Sequence, residues 1–455
     1  MLTEKLSRFV VGTRFKDLPA AAVDKAKFHI LDCLGVILAG SRQPAALKVK
    51  TYVQSLGGKD QAGIIGGLRA AAPQAAFANA TMGHLLDFDD DSDTSASHPS
   101  VTVLPAVIAL SRGTTSGRDL LRAYILGIEA GARIGAMPGF LPDHYRRGWH
   151  TTATIGVLGA TAGCGAMLSL NTNQLRTALG IAASEAGGLR ANFGSAMKAV
   201  HAGSAAAKAV SSVLLARAGI TANPRILEDP RGYYALFGSL TDLDQKAVLS
   251  DLGSRFDIVS PGINLKKYPC CYYTHAAIDA LLQLTAQHGL TAEDAAEIQC
   301  TLSAIACEVL QYKRPETGIQ AKFSLPYCLA RALVSRQVGI DDFADAALQQ
   351  KDVRRIMPRV TAAPDPSLDA ADQTLAARLC LVTAGGERLY HEMIKAPGSS
   401  ENPLSWREVT AKFTTCARRV LSEHHTTDII AAVERLEHLE RIDVLLEPLF
   451  QTAGV

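Results

Sequence analysis

The chain has 455 residues, 48% of them hydrophobic, 20% charged and 6% aromatic, and its 46 basic and 44 acidic side chains leave a formal charge of +2. That length suffices for two domains, or for one large core carrying an inserted unit. A near-neutral balance without a basic tract leaves no electrostatic footprint for nucleic acid or an anionic membrane, and neither partner is expected.

The apolar content is mostly Ala, Leu, Val and Ile, which suits close-packed helices better than a β-sandwich. The opening "MLTEKLSRFVVGTRF" lacks the apolar core and small-residue cleavage pattern of a signal peptide. Nine cysteines are scattered, with no CxxC and only Cys270 and Cys271 adjacent. A reduced, cytoplasmic setting is the expectation.

Taken in chain order, apolar residues at three- and four-residue spacings predict helices over 20–38, 71–86, 116–135 and 173–189. Ser116 caps the third, and Asn171 or Asn173 the fourth. Between them, residues 149–175 carry no formally charged side chain apart from the titratable His150. Their length would allow a membrane span. The run is Gly, Ala, Thr and Ser rather than greasy side chains, so it is read as a buried central helix. Another helix is predicted over 199–220. Near Pro261 the texture changes to a loop, "SPGINLKKYPCCYY", followed by the helix "THAAIDALLQLTAQHG". Two β-like runs follow, 297–306 and 377–394, the second reading as a hairpin turned at Ala384-Gly385-Gly386. After residues 395–406 the pattern is helical again. The expected fold is mainly α. A large all-helical domain spans 1–262 plus 395–455, and a smaller α+β domain spans 263–394.

The chemistry concentrates in "HLLDFDDDSDTSASHPS", residues 84–100, with five aspartates and two histidines. Asp89, Asp91 and Asp93 alternate as in a calcium loop, but Thr94 and Ser100 stand where that loop needs Gly and Glu. His84 and His98 are fourteen residues apart with no cysteine nearby, a poor zinc pattern. A solvated acidic turn suits Asp90 to Asp93, and suits Asp87 less because "HLLDF" continues the helical pattern. His98 precedes Pro99, which biases it away from helix. It then enters a buried-looking segment. Two readings stand there, a structural histidine and a proton-transfer group.

His150 opens the uncharged helix, where a helix field disfavours the imidazolium; capping or packing accounts for it equally well. Lys198 and His201 lie three apart on one helical face, and Lys198 must either reach solvent or meet an anion. Lys266 and Lys267 sit in the loop after Pro261, and one of them is read as a surface lysine. No GxGxxG follows a strand, and no Walker loop, GxSxG or HExxH is present. Chemistry without nucleotide, cofactor or metal is the expectation.

Read together, these blocks resemble the MmgE/PrpD family, which includes 2-methylcitrate dehydratases, cis-aconitate decarboxylases and iminodisuccinate epimerases. The likeness runs through "ILDCLGVILAGS", "AAFANATMGHLLDFDD…HPS", "WHTTATIGVLGATAG", "MKAVHAGSAAAKAV", "LKKYPCCYYTHAAIDAL", "FSLPYCLA" and "NPLSWREVTAKF", in that order. It implies a helical domain with a smaller α+β lid, a homodimer, and an active site between the domains. It also implies catalytic roles for Asp87, His98, His150, Lys198 and Lys266. Asp91 falls where many relatives carry Thr. After His98-Pro99-Ser100 the chain continues Val-Thr-Val-Leu-Pro, closer to the decarboxylase and epimerase branches than to the dehydratases.

The shared chemistry is proton movement at a carbon next to a carboxylate. It needs a base poised near working pH and fixed positive charge in a desolvated pocket. His98 and His150 are assigned the first task, Lys198 and Lys266 the second, and Asp87 the orientation of an imidazole. Asp91, Tyr145 and Tyr268 are assigned to substrate binding. The expected function is a cofactor-independent lyase on a small di- or tricarboxylic acid, by decarboxylation or dehydration. The alternatives are an epimerase of an amino- or imino-dicarboxylate, and an inactive binding relative.

Overall fold

Small side chains decide how the helices of this chain pack. Gly117–Gly135 and Gly156–Met167 approach so closely that a Cβ added at Gly159 would lie 2.9 Å from the carbonyl oxygen of Gly127. Nothing larger than hydrogen fits, so the uncharged run is glycine-rich because another backbone lies against it. The helix Met197–Arg217 sits equally close on Ala72–His84, where a Cβ at Gly203 would collide with Thr81 Oγ1 and the Phe77 carbonyl.

The computed structural model describes residues 1–239, 243–370 and 373–450. They fall into two units. The first comprises Met1–Leu85, Asp89–Leu265 and Ser405–Val455, and the second Leu86–Phe88 and Lys266–Leu404. Helices dominate the first unit, and its Ala20–Gly40 helix is buried along almost its whole length. One short antiparallel pair, Ala62–Ile64 with Leu68–Ala70, is added to them. Ser116 and Asn171 cap their helices as expected, their side-chain oxygens accepting from Asp119 N–H and Gln174 N–H.

The uncharged run is not one helix. It breaks at Ile155 into Thr151–Thr154 and Gly156–Met167. The threonines are β-branched, and all three turn their hydroxyls to other segments, Thr151 donating to the Ala96 carbonyl. Thr152 accepts from the His98 N–H, and Thr154 Oγ1 lies 2.7 Å from His144 Nε2. The helix predicted over 173–189 stops at Ser184. Residues beyond it run extended enough for Leu189 to bridge to Trp149.

The second unit is α+β. Its sheet runs in the order Val360–Pro364, Ala295–Leu302, Ala377–Thr383, Arg388–Met393, with the first pair parallel and the others antiparallel. The hairpin at 384–386 is present. The predicted strand over 297–306 ends at Leu302 because the Ser303 hydroxyl accepts from the Ala306 N–H and starts a helix, Ala304–Val309. His275–Gln287 packs on the two hairpin strands and on Leu325–Ser335. The mainly-α expectation with a smaller α+β part therefore holds.

Gly203→Ala should lower the melting temperature by several degrees, for a cost of about 1–3 kcal/mol from overpacking. Gly187→Ala, where an added Cβ meets nothing within 4 Å, should melt with the wild type. Thermal denaturation followed by circular dichroism checks both.

Candidate active site

The first unit gathers four imidazoles and one ammonium in its interior. Helix Ala72–His84 delivers His84 at its last turn, and the His84 Nδ1 lies 2.8 Å from Asp89 Oδ2, both side chains fully buried. The His98 ring centroid is 4.6 Å from that of His84, and the His150 ring stacks on His84 at 5.8 Å with 21° between planes. His150 in turn places its Nδ1 3.0 Å from Nδ1 of His201. Lys198, one turn before His201 on the same helix, is 7% exposed.

His98 is held by its backbone and one ring nitrogen. Its N–H donates to Thr152 Oγ1 at 3.1 Å, and its Nδ1 lies 2.7 Å from the carbonyl oxygen of Asp90. A carbonyl only accepts, so Nδ1 carries the hydrogen and the lone pair of the neutral ring lies on Nε2. Two carboxylates face this ring: Asp89 Oδ2 at 3.6 Å from Nδ1 and Asp91 Oδ1 at 3.9 Å from Nε2. Asp90 is itself buried. Its carboxylate accepts from Ser100 N–H at 3.1 Å and from the Ser100 hydroxyl, and sits 3.1 Å from His29 Nδ1. The reading of Asp90 as loop and rim is thereby corrected: it anchors the carbonyl that holds His98.

His150 has the opposite surroundings. Burial pushes its imidazole well below the ordinary value, and the positive charge of Lys198 and the neighbouring His84, His201 and His98 push the same way. The helix it opens has only four residues, so burial rather than a helix field keeps the ring neutral. His201 is pushed down to about 4, again by burial first and Lys198 second. The Lys198 ammonium lies 5.4 Å from the Phe193 ring centroid, which also meets the His150 ring edge-on at 5.0 Å.

Within the second unit a different set of charges is buried together. Lys266 Nζ lies 3.1 Å from Asp87 Oδ1 and donates to the Asp87 carbonyl at 3.0 Å. Asp87 adopts a left-handed backbone, φ 51°, which Asp tolerates better than most residues. Lys322 donates to the carbonyls of Leu86 and Pro269, both at 2.7 Å, and burial lowers it to about 8 against the opposing pull of Asp87.

Of the residues assigned from sequence, the first unit brings together His98, His150, Lys198 and Asp91, and the second pairs Asp87 with Lys266. Asp87 forms an ion pair with Lys266, and the carboxylate nearest an imidazole is Asp89. Tyr268 is not an available hydroxyl: it is buried and donates to Asp279 Oδ1 at 3.0 Å. Asp279 also takes the ammonium of Lys267 at 2.9 Å, so that lysine serves the same local pair. Tyr145 is half-buried with the Arg190 guanidinium 3.7 Å over its ring.

Sequence reasoning gave no role to His84, Asp89, His201 or Lys322. The three-residue step from Lys198 to His201 was the visible signal for one of them. His84, Asp89 and His98 offer ligand atoms within 4.8 Å of one another, a two-histidine, one-carboxylate set. Their Nδ1 nitrogens are engaged by Asp89 and the Asp90 carbonyl, which makes the set a hydrogen-bonded cluster.

Comparison with known proteins adds the following. The MmgE/PrpD N-terminal domain matches residues 4–246, and the MmgE/PrpD C-terminal domain matches residues 268–438. The cis-aconitate decarboxylase of Mus musculus is 27% identical over 457 residues, covering 98% of this chain and 92% of that protein. That of Aspergillus terreus is 28% identical, covering 98% and 95%. That of Homo sapiens is 26% identical, covering 98% and 93%.

The depressed His201 has a consequence for stability. Between about pH 6.5 and about pH 4 the unfolded chain takes up a proton that the folded His201 refuses, so stability falls as pH falls through that window. The melting temperature should drop across it, and His201→Asn should flatten the slope. Melting curves at half-unit pH steps provide the measurement.

Proposed function

Because the chain belongs to the MmgE/PrpD family, we propose that it is a lyase that expels CO2 from an aconitate-like tricarboxylate, with proton transfer at a carbon near a carboxylate. The observation that carries this reading is the opposed pair of environments within one buried cluster. His98 faces two carboxylates, whereas His150 faces an ammonium and further imidazoles. Sequence relatives over nearly the full chain are named cis-aconitate decarboxylases, which supports the choice of substrate class.

When CO2 leaves, the electron pair of the broken carbon–carbon bond passes into the remaining unsaturated framework, and a carbon of that framework must take up a proton. His98 is the donor, through Nε2: the Asp91 carboxylate lies beside that nitrogen and the Asp89 carboxylate beside Nδ1. His150, held neutral, is the complementary proton acceptor: it takes the proton of the carboxyl that leaves as CO2 when the acid binds protonated, and His98 is recharged from solvent. Lys198 supplies fixed positive charge for the carboxylate oxygens on which charge develops, in a site from which water is largely excluded. No step calls for a cofactor.

A second reading is favoured by Asp91. A carboxylate 3.9 Å from the working nitrogen of His98 suits a substrate bearing an ammonium or iminium group better than one bearing a third carboxylate. An epimerase of an amino- or imino-dicarboxylate would use the same pair, His150 removing a proton and His98 returning one.

Incubation with cis-aconitate in D2O, followed by proton NMR, separates the two. New olefinic signals with gas evolution are expected. Deuterium exchange into an amino- or imino-dicarboxylate without net loss would transfer the assignment to the epimerase, and silence across a panel of acids would defeat both readings.

His98→Ala and Lys198→Ala should each reduce turnover by about 10²- to 10⁴-fold while melting close to wild type. Full activity in either variant would refute the assignment. Lys266→Ala, assayed alongside them, tests the role that the family resemblance gives that residue.

A further inference from the structure

Two Nδ1 atoms 3.0 Å apart admit one arrangement of protons. With no hydrogen between them the lone pairs repel, and with two the N–H groups collide, so one ring donates and the other accepts. Because burial and Lys198 disfavour the imidazolium in both, the pair shares a single proton with both rings neutral. The two histidines must therefore hold opposite tautomers. Whichever ring keeps its hydrogen on Nδ1 has a lone pair on Nε2 and can accept a proton there. The other has an N–H at Nε2 and can only donate.

We propose that His201 is the positioning residue that sets the tautomer of His150, accepting the Nδ1–H of His150 so that His150 Nε2 keeps its lone pair and serves as the proton acceptor. Three observations carry this. The Nδ1–Nδ1 contact is the hydrogen bond formed by both rings, and no other protein partner for either Nε2 is found among the described residues. His201 is fixed on the long helix Met197–Arg217, one turn after Lys198, with its ring wedged against Gly188, where an added Cβ would come within 3.2 Å of the ring. His150 is pinned through its N–H to the carbonyl of that same Gly188 at 2.9 Å. Both rings are thus referred to one backbone position, and their separation is set by the fold.

The arrangement resembles the aspartate–histidine pairing of hydrolases, with a neutral imidazole in place of the carboxylate. When His150 Nε2 takes a proton, the charge forms on a ring whose Nδ1–H already has an acceptor. A neutral acceptor stabilises that charge less than a carboxylate would. His150 is therefore a weak base that releases its proton readily, which suits a site that must return to neutrality each turnover. The charged and titratable groups facing it are Lys198, His84, His201 and His98.

The direction of the hydrogen bond rests on the acceptor role proposed above for His150, whereas the opposite tautomers of the two rings follow from the contact alone, and the test separates them. Long-range ¹H–¹⁵N NMR of the full-length resting enzyme reads the ring nitrogens directly. A protonated Nδ1 and an unprotonated Nε2 are expected for His150, with an unprotonated Nδ1 for His201; the reverse assignment would overturn the proposal whatever the enzyme catalyses. In kinetics, His201→Leu should lower kcat by about 10- to 100-fold with KM within about 3-fold. His201→Asn, whose Oδ1 can accept the same hydrogen, should recover most of the loss and keep the wild-type pH profile. A His201→Leu enzyme with unchanged kcat, or one that loses kcat no more than His201→Asn does, would count against it. The expected tautomer in an enzyme inert to every acid tried would leave the positioning role standing and remove the proposed function.

Discussion

An imidazole taken out of water has two nitrogens, and the fold must serve what solvent no longer does. This constraint organises the interior of the first unit. Each of three histidines commits its Nδ1 to a fixed neighbour: His84 to the Asp89 carboxylate, His98 to the Asp90 carbonyl, His150 to His201. The choice of nitrogen is uniform, and it orients the opposite edge of each ring. Asp89, Asp90 and Asp91 are consecutive, yet they do three different things. One holds an imidazole by its side chain, one by its backbone, and one faces the working edge of His98. Five aspartates in a short segment are not redundant acidity.

Keeping such a segment in place requires rigid surroundings, and these come from close helix packing rather than from bulky side chains. Gly127, Gly159 and Gly203 allow backbones to touch, so helices cannot slide without breaking several contacts at once. Asp90 joins the two levels. Its carboxylate ties down His29 and Ser100 while its carbonyl sets His98, so packing and protonation state share one residue. The positive left-handed φ of Ala96, 45°, lies in the same loop, and the Thr151 hydroxyl bonds its carbonyl. That places the loop directly on the turn that carries His150.

Much of the fold was legible because its signals are periodic. The apolar spacing of residues 20–38 and 116–135 located helices that run Ala20–Gly40 and Gly117–Gly135. The Ala-Gly-Gly turn located the hairpin. What was not legible depended on partners distant in sequence. The break at Ile155 follows from threonines reaching toward His98 and His144, and no local pattern announces that. The short edge strand Val360–Pro364 exists by pairing with Ala295–Leu302. In the candidate site, His98 and His150 were singled out by their positions at helix starts. Asp89 looked like one more turn acid, and His201 like a bystander on a helix face. Their parts appear only when rings from four segments are stacked. Tyr268 is a residue whose type suggested chemistry and whose hydroxyl donates to Asp279, a partner the sequence did not announce.

The deeper asymmetry of the site is one of charge rather than residue type. A unit charge at about 4 Å is worth about 4 kcal/mol at an effective dielectric near 20. Carboxylates sit 3.6 and 3.9 Å from His98, whereas the charge beside His150 is the ammonium of Lys198. Two identical side chains in one cluster thus face opposite charges, which is the arrangement a donor and an acceptor need to coexist at a single pH. His84 contacts both rings and has its Nδ1 on Asp89. A site with equal environments would carry two acids or two bases, and either would stall after one proton. The consecutive aspartates on one side and the Lys198 helix on the other are what keep the two roles apart.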